Sequence, residues 1–265
     1  MPSKKLLLTL IILVTAMLLT SCSWRQKTVN VLIVPTYGLL DNAKQDYKSY
    51  LHIVIATFQT NNIDKTIVSG PYSDPQNSLS EADSIMPVLD DFGIKADLDR
   101  CSITNYQTLE TAKAMLKDNK INEIHITTES SRRPKIMIES FLIFQANEEQ
   151  QNWIKETLIM TYQKTPSERQ KLLDDILDQI KLWQQNIKTP SIKIDRTAFD
   201  SMNDDDRAKQ MQENTFDELI AFLNADQEKQ FIKNRLTELS GEAKNADLIK
   251  NYLLSKGCDA KLYEY

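Results

Sequence analysis

The sequence predicts an α/β fold: a parallel sheet flanked by helices, followed by a C-terminal helical extension. Three observations carry this. Val29 to Pro35 is an almost continuous apolar run, the mark of a strand covered on both faces. Short apolar runs then alternate with segments of helical periodicity, which implies strand–helix units and parallel pairing. From about Ala146 the strand signals give way to helix patterns.

The elements follow in order. After the first strand, Asp41 can cap a helix with Tyr47, Tyr50, Leu51, Val54, Ile55 and Phe58 at helical spacing. Lys65 to Ser69 is a second short strand ended by Gly70-Pro71. Ser78 to Phe92 reads as a helix with Gly93 as its left-handed C-terminal cap. Ile94 to Leu98 is a weaker third strand, Tyr106 to Asn119 a helix, and Glu123 to Thr127 a fourth strand. A helix runs from about Pro134, suited to a first helical turn, to about Gln145. Beyond it come a helix over Asn147 to Tyr162 and a capping box at Thr165-Pro166-Ser167-Glu168. The box opens a helix with Leu173, Ile176, Ile180, Trp183 and Ile187 on one stripe. Thr189 to Gln210 is polar, and its Asn203-Asp204-Asp205-Asp206 lacks the spaced ligands and glycine of an EF-hand, so a solvated loop or helix start is expected. Thr215 to Glu218 starts another helix. Asn245 to Ser255 is a helix closed by Gly257, and Ala260 to Tyr263 is a candidate final strand.

The first residues read as an address. Lys4 and Lys5 precede an uncharged, largely apolar run from Leu6 to Thr20. That is the layout of a secretory signal, shorter than the roughly 20 apolar residues of a spanning helix. The alternative is an uncleaved N-terminal anchor. Leu19-Thr20-Ser21-Cys22 resembles the bacterial lipoprotein lipobox, which implies removal of residues 1–21, acylation (palmitate) of Cys22 and a tether over residues 22–28. The partner would then be a membrane, held through the lipidated Cys22. In a Gram-negative cell, Ser23 resembles the signal for sorting to the outer membrane, facing the periplasm. Export leaves Cys101 and Cys258 in an oxidising compartment, either as a disulfide or as two buried thiols.

Composition excludes several functions. The 265 residues include 5 glycines, none closer than 16 positions to the next, so neither a dinucleotide fingerprint nor a P-loop fits. Two histidines and three cysteines make a zinc site of the usual kind improbable, and no metal or other cofactor is assigned. With Lys+Arg 32 against Asp+Glu 37 and no basic stripe, nucleic acid is not an expected partner.

In an open parallel sheet, ligands bind beyond the C-terminal strand ends. Those ends carry Pro35 to Gly38, Ser69-Gly70, Ser102 to Thr108, and Thr127 to Arg133, joined by the helix starts at Ser80-Glu81 and Thr108-Leu109-Glu110. Each also has a plain reading: Glu81 as capping-box partner of Ser78, Glu110 as a first-turn acid, Arg132 and Arg133 as solvated loop charges.

The ordered pieces IVSGPYSDPQNSLSEADSIMPVLDDFGI, SITNYQTLETAKAML and EIHITTESSRRPKIM resemble the SanA/YdcF/ElyC family of bacterial envelope proteins over roughly Val29 to Gln145. The resemblance rests on Ser69 and Gly70; Ser80, Glu81 and Ala82; Gly93 and Ile94; Thr108, Glu110 and Ala112; Thr127; and either Arg132 or Arg133. It implies a Rossmann-like domain over 29–145, with 146–265 as a helical extension, and ligand contacts from Ser69, Gly70, Ser80, Glu81, Thr108, Glu110, Thr127, Arg132 and Arg133. Where the family has a second glycine, an asparagine and a histidine, this chain has Pro71, Thr111 and Ser130-Ser131. Loss of the histidine removes the general acid/base nearest neutral pH. Two readings follow: a binder or enzyme for an anionic small molecule or lipid-linked envelope intermediate, and a non-catalytic envelope module that binds a protein.

Overall fold

The computed structural model describes residues 28–40, 45–76, 78–128, 132–161, 164–196, 219 and 225–265. The signal, Cys22, Ser23, the Asp41 cap, Ser130-Ser131, the acidic run at 203–206 and the helix start at Thr215 to Glu218 lie outside them.

A five-stranded, all-parallel sheet is flanked by helices in a Rossmann-like arrangement. The strands are β1 (Thr28–Pro35), β2 (Lys65–Ser69), β3 (Ala96–Asp99), β4 (Lys120–Thr128) and β5 (Ser191–Arg196), in the spatial order β3-β2-β1-β4-β5. The helices are α1 (Gln45–Thr60), α2 (Glu81–Asp91), α3 (Asn105–Met115), α4 (Arg133–Phe144), α5 (Glu148–Thr161), α6 (Pro166–Gln184), α7 (Ala225–Leu239) and α8 (Ala246–Ser255).

The apolar run of β1 fills both faces of the sheet. Leu32 and Val34 pack with Val68 against Tyr50, Leu51 and Val54 of α1 and Ile85 and Leu89 of α2. Val31 and Ile33 point the other way, onto Leu109 and Ala112 of α3, Leu116 at its C-cap, and Ile136 and Ile143 of α4. The alternation is the period-2 geometry of a strand, here with apolar residues at both phases.

The second half adds two smaller cores. Ile138 and Phe141 on the far side of α4 meet Ile154 and Leu158 of α5 and the predicted stripe Leu173, Ile176 and Ile180 of α6. The Thr165–Glu168 capping box forms as expected. The last core joins Ile103 to Ile232 and Leu236 of α7, Ile249 and Leu253 of α8, Cys258 and Tyr263. Gly93 and Gly257 take positive φ after α2 and α8, as their cap roles require.

Three expectations are corrected. The polar stretch after Thr189 contains β5, which pairs in parallel with β4, Ile126 opposite Ile194. Ala260–Tyr263 is not a strand but a 3-10 turn started by Asp259, whose side chain accepts from the Lys261 N–H. Ile94 precedes β3 and belongs to the core under α2.

Cys101 and Cys258 form a disulfide, with Cα atoms 5.5 Å apart and a sequence separation of 157. Around it the Tyr263 hydroxyl donates to the Cys101 carbonyl at 2.6 Å and Gln107 Nε2 to the Leu262 carbonyl at 2.7 Å. Closing so long a loop stabilises by roughly 2–5 kcal/mol, chiefly by restricting the unfolded chain. The Cys101→Ser/Cys258→Ser double variant should lose that amount in urea unfolding while keeping its far-ultraviolet circular dichroism. An unchanged midpoint would show that the bond contributes nothing.

Candidate functional site

The strand ends are level. Pro35 lies opposite Ser69, and Ser69 opposite Asp99, so the loops after β1, β2 and β3 leave the sheet side by side. The order β3-β2-β1-β4-β5 places the switch point between β1 and β4, because the chain steps from β1 toward β2 and later returns on the opposite side. That is where ligand crevices open in such sheets.

On the β2 side the polar residues fasten the chain to itself. Ser69 Oγ donates to Asp99 Oδ2 at 2.6 Å and lies 2.8 Å from Thr108 Oγ1, all three buried. Asp99 Oδ1 in turn accepts from the N–H groups of Cys101 and Ser102. Gly70 is squeezed: a Cβ there would stand 1.9 Å from Thr36 Oγ1 and 2.9 Å from the Ala82 nitrogen. This close approach lets the Gly70 and Pro71 carbonyls accept from the Ala82 and Glu81 N–H groups at the start of α2.

The cap of α2 is shifted by two residues from the expected frame. Ser80, not Ser78, accepts from the Asp83 N–H at 2.9 Å, and Asp83 reaches back to Ser80. Glu81 is thereby released from capping. One of its oxygens, Oε2, accepts from Thr36 Oγ1 at 2.9 Å and from the Gly38 N–H at 2.8 Å, pinning the loop after β1 to α2. Asp83 also holds Arg100 through two parallel bonds, Nη2 to Oδ1 at 2.8 Å and Nε to Oδ2 at 2.9 Å. The Arg100 hydrogen bonds hold the Asp83 carboxyl below its usual range.

At the switch point the character changes. Arg132 lies with its guanidinium carbon 4.3 Å from the centroid of the Tyr37 ring, a cation–π contact that joins the loop after β1 to the start of α4. The Tyr37 hydroxyl lies 3.0 Å from Thr128 Oγ1 and its ring meets Tyr50 edge-on. Beneath, Thr127 Oγ1 lies 3.0 Å from the Tyr50 hydroxyl, which donates to the Pro35 carbonyl at 2.6 Å.

Among the described residues no side chain caps the start of α4, which has proline in its first turn, whereas Thr104 caps α3 and Ser80 caps α2. Arg133 is exposed on its first turn. Lys135 is buried within electrostatic reach of Arg132 and Arg235, and burial drives its ammonium pKa down. A helix start with positive partial charge and clustered cations is suited to an anion.

The structure therefore divides the predicted residues. Ser69, Gly70, Ser80, Glu81, Thr108 and Thr127 come to one edge, as internal fastenings. Arg132 and Arg133 sit at the switch point. Glu110 is not brought to that edge: two residues after Thr108 on α3 it turns to the opposite side, where it is exposed and hydrogen-bonded to Tyr106. Sequence reasoning missed Asp99, Lys135 and Arg235, and placed Tyr37 at the strand ends only within the stretch Pro35 to Gly38. The Asp-Arg pair closing β3 was a usable signal for Asp99; nothing local pointed to Arg235.

Neither histidine lies at this edge. His52 is on the exposed side of α1, and His125 is buried within β4 between Asp195 Oδ2 at 3.0 Å and Glu123 Oε2 at 3.4 Å. Among the described residues no three His, Cys, Asp or Glu side chains are grouped to hold a metal ion. No protein-family model matches the chain, and no curated protein or solved structure is similar enough to count as a match.

Since its pKa is depressed in the fold, Asp83 stabilises the native state above its ordinary value of 3.8, and that stabilisation is lost as pH falls through the folded value. Arg100→Ala should remove it, narrowing the difference in urea midpoint between pH 7 and pH 3 relative to the unaltered chain. Identical pH dependence in the two proteins would contradict this.

Proposed function

We propose that this chain is an exported bacterial lipoprotein of the SanA/YdcF/ElyC type that binds an anionic ligand, a phosphate-bearing small molecule or lipid-linked envelope intermediate, at the switch point of its sheet. The observation that carries the reading is the cation-flanked start of α4, which no described side chain caps, with Arg132 held on the Tyr37 ring. The starts of α2 and α3 have N–H groups taken up by Ser80, Thr104 and the Gly70 and Pro71 carbonyls, so of these three helices α4 has the start suited to an anion. Arg132 and Arg133 supply charge and directed N–H donors, and Tyr37 fixes the Arg132 plane. Glu81 acts at a distance, by holding the loop that carries Tyr37.

The membrane tether rests on the Lys4-Lys5 start, the apolar run and the Leu-Thr-Ser-Cys ending. Among the described residues no helix is long and apolar enough to cross a membrane.

A second reading, a protein-interaction module, draws on the exposed Ile159 and Met160 of α5 and Leu182 of α6. The two readings separate in one assay. Arg132→Ala/Arg133→Ala should weaken binding of an isoprenyl phosphate in detergent micelles roughly tenfold or more, with the melting temperature nearly unchanged. Undiminished binding, or none by the unaltered chain, would reject the anion site and favour the protein partner.

The tether has its own test. Cells given labelled palmitate should acylate the unaltered chain and not Cys22→Ala, and label in the variant would reject the lipobox.

A further inference from the structure

The two edges of the sheet differ in what can reach them. All five strands run the same way, so their starts share one edge and their ends the other. Strand β1 begins at the exposed Thr28, and Tyr37 and Arg132 meet beyond its far end. At about 3.3 Å for each step, β1 spans about 23 Å from Thr28 to Pro35.

Cys22 stands six residues before Thr28. Drawn out fully, that stretch spans at most roughly 22 Å. A chain acylated at Cys22 therefore keeps Thr28 within this distance of the bilayer surface. To press the switch point onto the same bilayer, the tether would have to cover more than the length of β1, about 23 Å, because Tyr37 lies past Pro35. It would also have to run round the outside of the domain. The tether is too short. Charge alone would not decide between the edges, since Arg132 and Arg133 lie at the far one; the reach of the chain does.

The surroundings of Thr28 are suited to phospholipid. Lys120 lies directly opposite Thr28, whereas β2 begins only opposite Val31. Three residues at about 3.3 Å each carry the β1–β4 pair about 10 Å past the start of β2. The turn from α3 into β4 thus stands beside the point where the tether leaves. It exposes Lys117 and Lys120, and Met115 at the end of α3 is 37 % exposed. Phe92, 49 % exposed after α2, belongs to the same edge. Asp118, between the lysines, has an interaction of its own. Lysines lay their apolar stems along a surface while their ammonium groups meet lipid phosphate, and an apolar side chain among them enters the headgroup layer.

We infer that in the tethered chain the α3–β4 turn rests on the phospholipid surface and the switch point faces away from it, into water. This orientation rests on the acylated Cys22 of the proposed lipoprotein. It also narrows the ligand. A phosphate fixed at the headgroup level of the same bilayer is out of reach of Arg132, whereas a phosphate-bearing molecule that arrives through water is not.

The test uses the full, acylated chain reconstituted in vesicles of phosphatidylethanolamine and phosphatidylglycerol that carry a headgroup nitroxide lipid. With Cys22 acylated and Cys101 bonded to Cys258, one added cysteine is the only free thiol for a fluorophore. Met115→Cys places it at the turn, and Gln76→Cys in the loop between β2 and α2, on the edge of the switch point. Both positions are exposed, so neither label disturbs the core. The Met115→Cys label should lose most of its emission to the nitroxide, and the Gln76→Cys label should keep the emission it has in vesicles without nitroxide. Adding Lys117→Glu/Lys120→Glu to the Met115→Cys chain should restore emission while the chain still floats with the vesicles; undiminished quenching would reject the turn as the contact. Floating chains whose two labels are quenched alike, or more at Gln76→Cys, overturn the orientation and leave the tether standing. A chain that does not float with the vesicles overturns both.

Discussion

The structure depends on the burial of β1 on both faces, between β2 on one side and β4 on the other. A strand in that position can present no polar side chain along most of its length, so the apolar run is forced and chemistry is pushed to its end. Because the neighbours of β1 are reached by chain leaving in opposite directions, the switch point of the sheet lies between β1 and β4. Tyr37 and Arg132 meet across it. The helices that bury the sheet, α1 and α2 on one face and α3 and α4 on the other, start near the same edge as a consequence of parallel pairing.

That edge holds many polar groups, and most serve the fold. Ser69, Asp99 and Thr108 bond to one another; Ser80 and Asp83 close the first turn of α2; Glu81 ties Thr36 and Gly38. A buried hydroxyl or carboxylate at a sheet edge must be satisfied by something, and here the chain itself satisfies these. Helix α4 stands apart, since its start has arginines where α2 and α3 have capping hydroxyls. The distinction between fastening and facing residues separates a list of polar residues from a site.

The sequence made the central layers legible for a physical reason: strands buried twice are apolar twice, and amphipathic helices carry their inner face in their spacing. The limits of β2 follow directly from its run. The edge strand β5 escaped because SIKIDR has only Ile192 and Ile194 on its inner phase, and a strand half in water reads as a loop. Ala260–Tyr263 failed the other way, since two apolar residues in a row satisfy a strand pattern that the Asp259 side chain overrides. The α2 cap offered two overlapping frames, Ser78 to Glu81 and Ser80 to Asp83. The choice was made by Thr36 and Gly38, more than forty residues earlier, which claim Glu81. Glu110 shows the reverse limit: its sequence neighbour Thr108 faces the strand ends, but a helix turns them apart.

The bond from Cys101 to Cys258 also sets an order of assembly. Cys101 sits in the loop after β3, and its partner is made 157 residues later. The sheet can pair β1 to β4 while the rest of the chain is still being made, but the loop after β3 gains its covalent anchor only once α7 and α8 have folded over it. A chain cut short upstream of Cys258 carries a solitary thiol at that loop, which only a chain that reaches Cys258 can close into the bond.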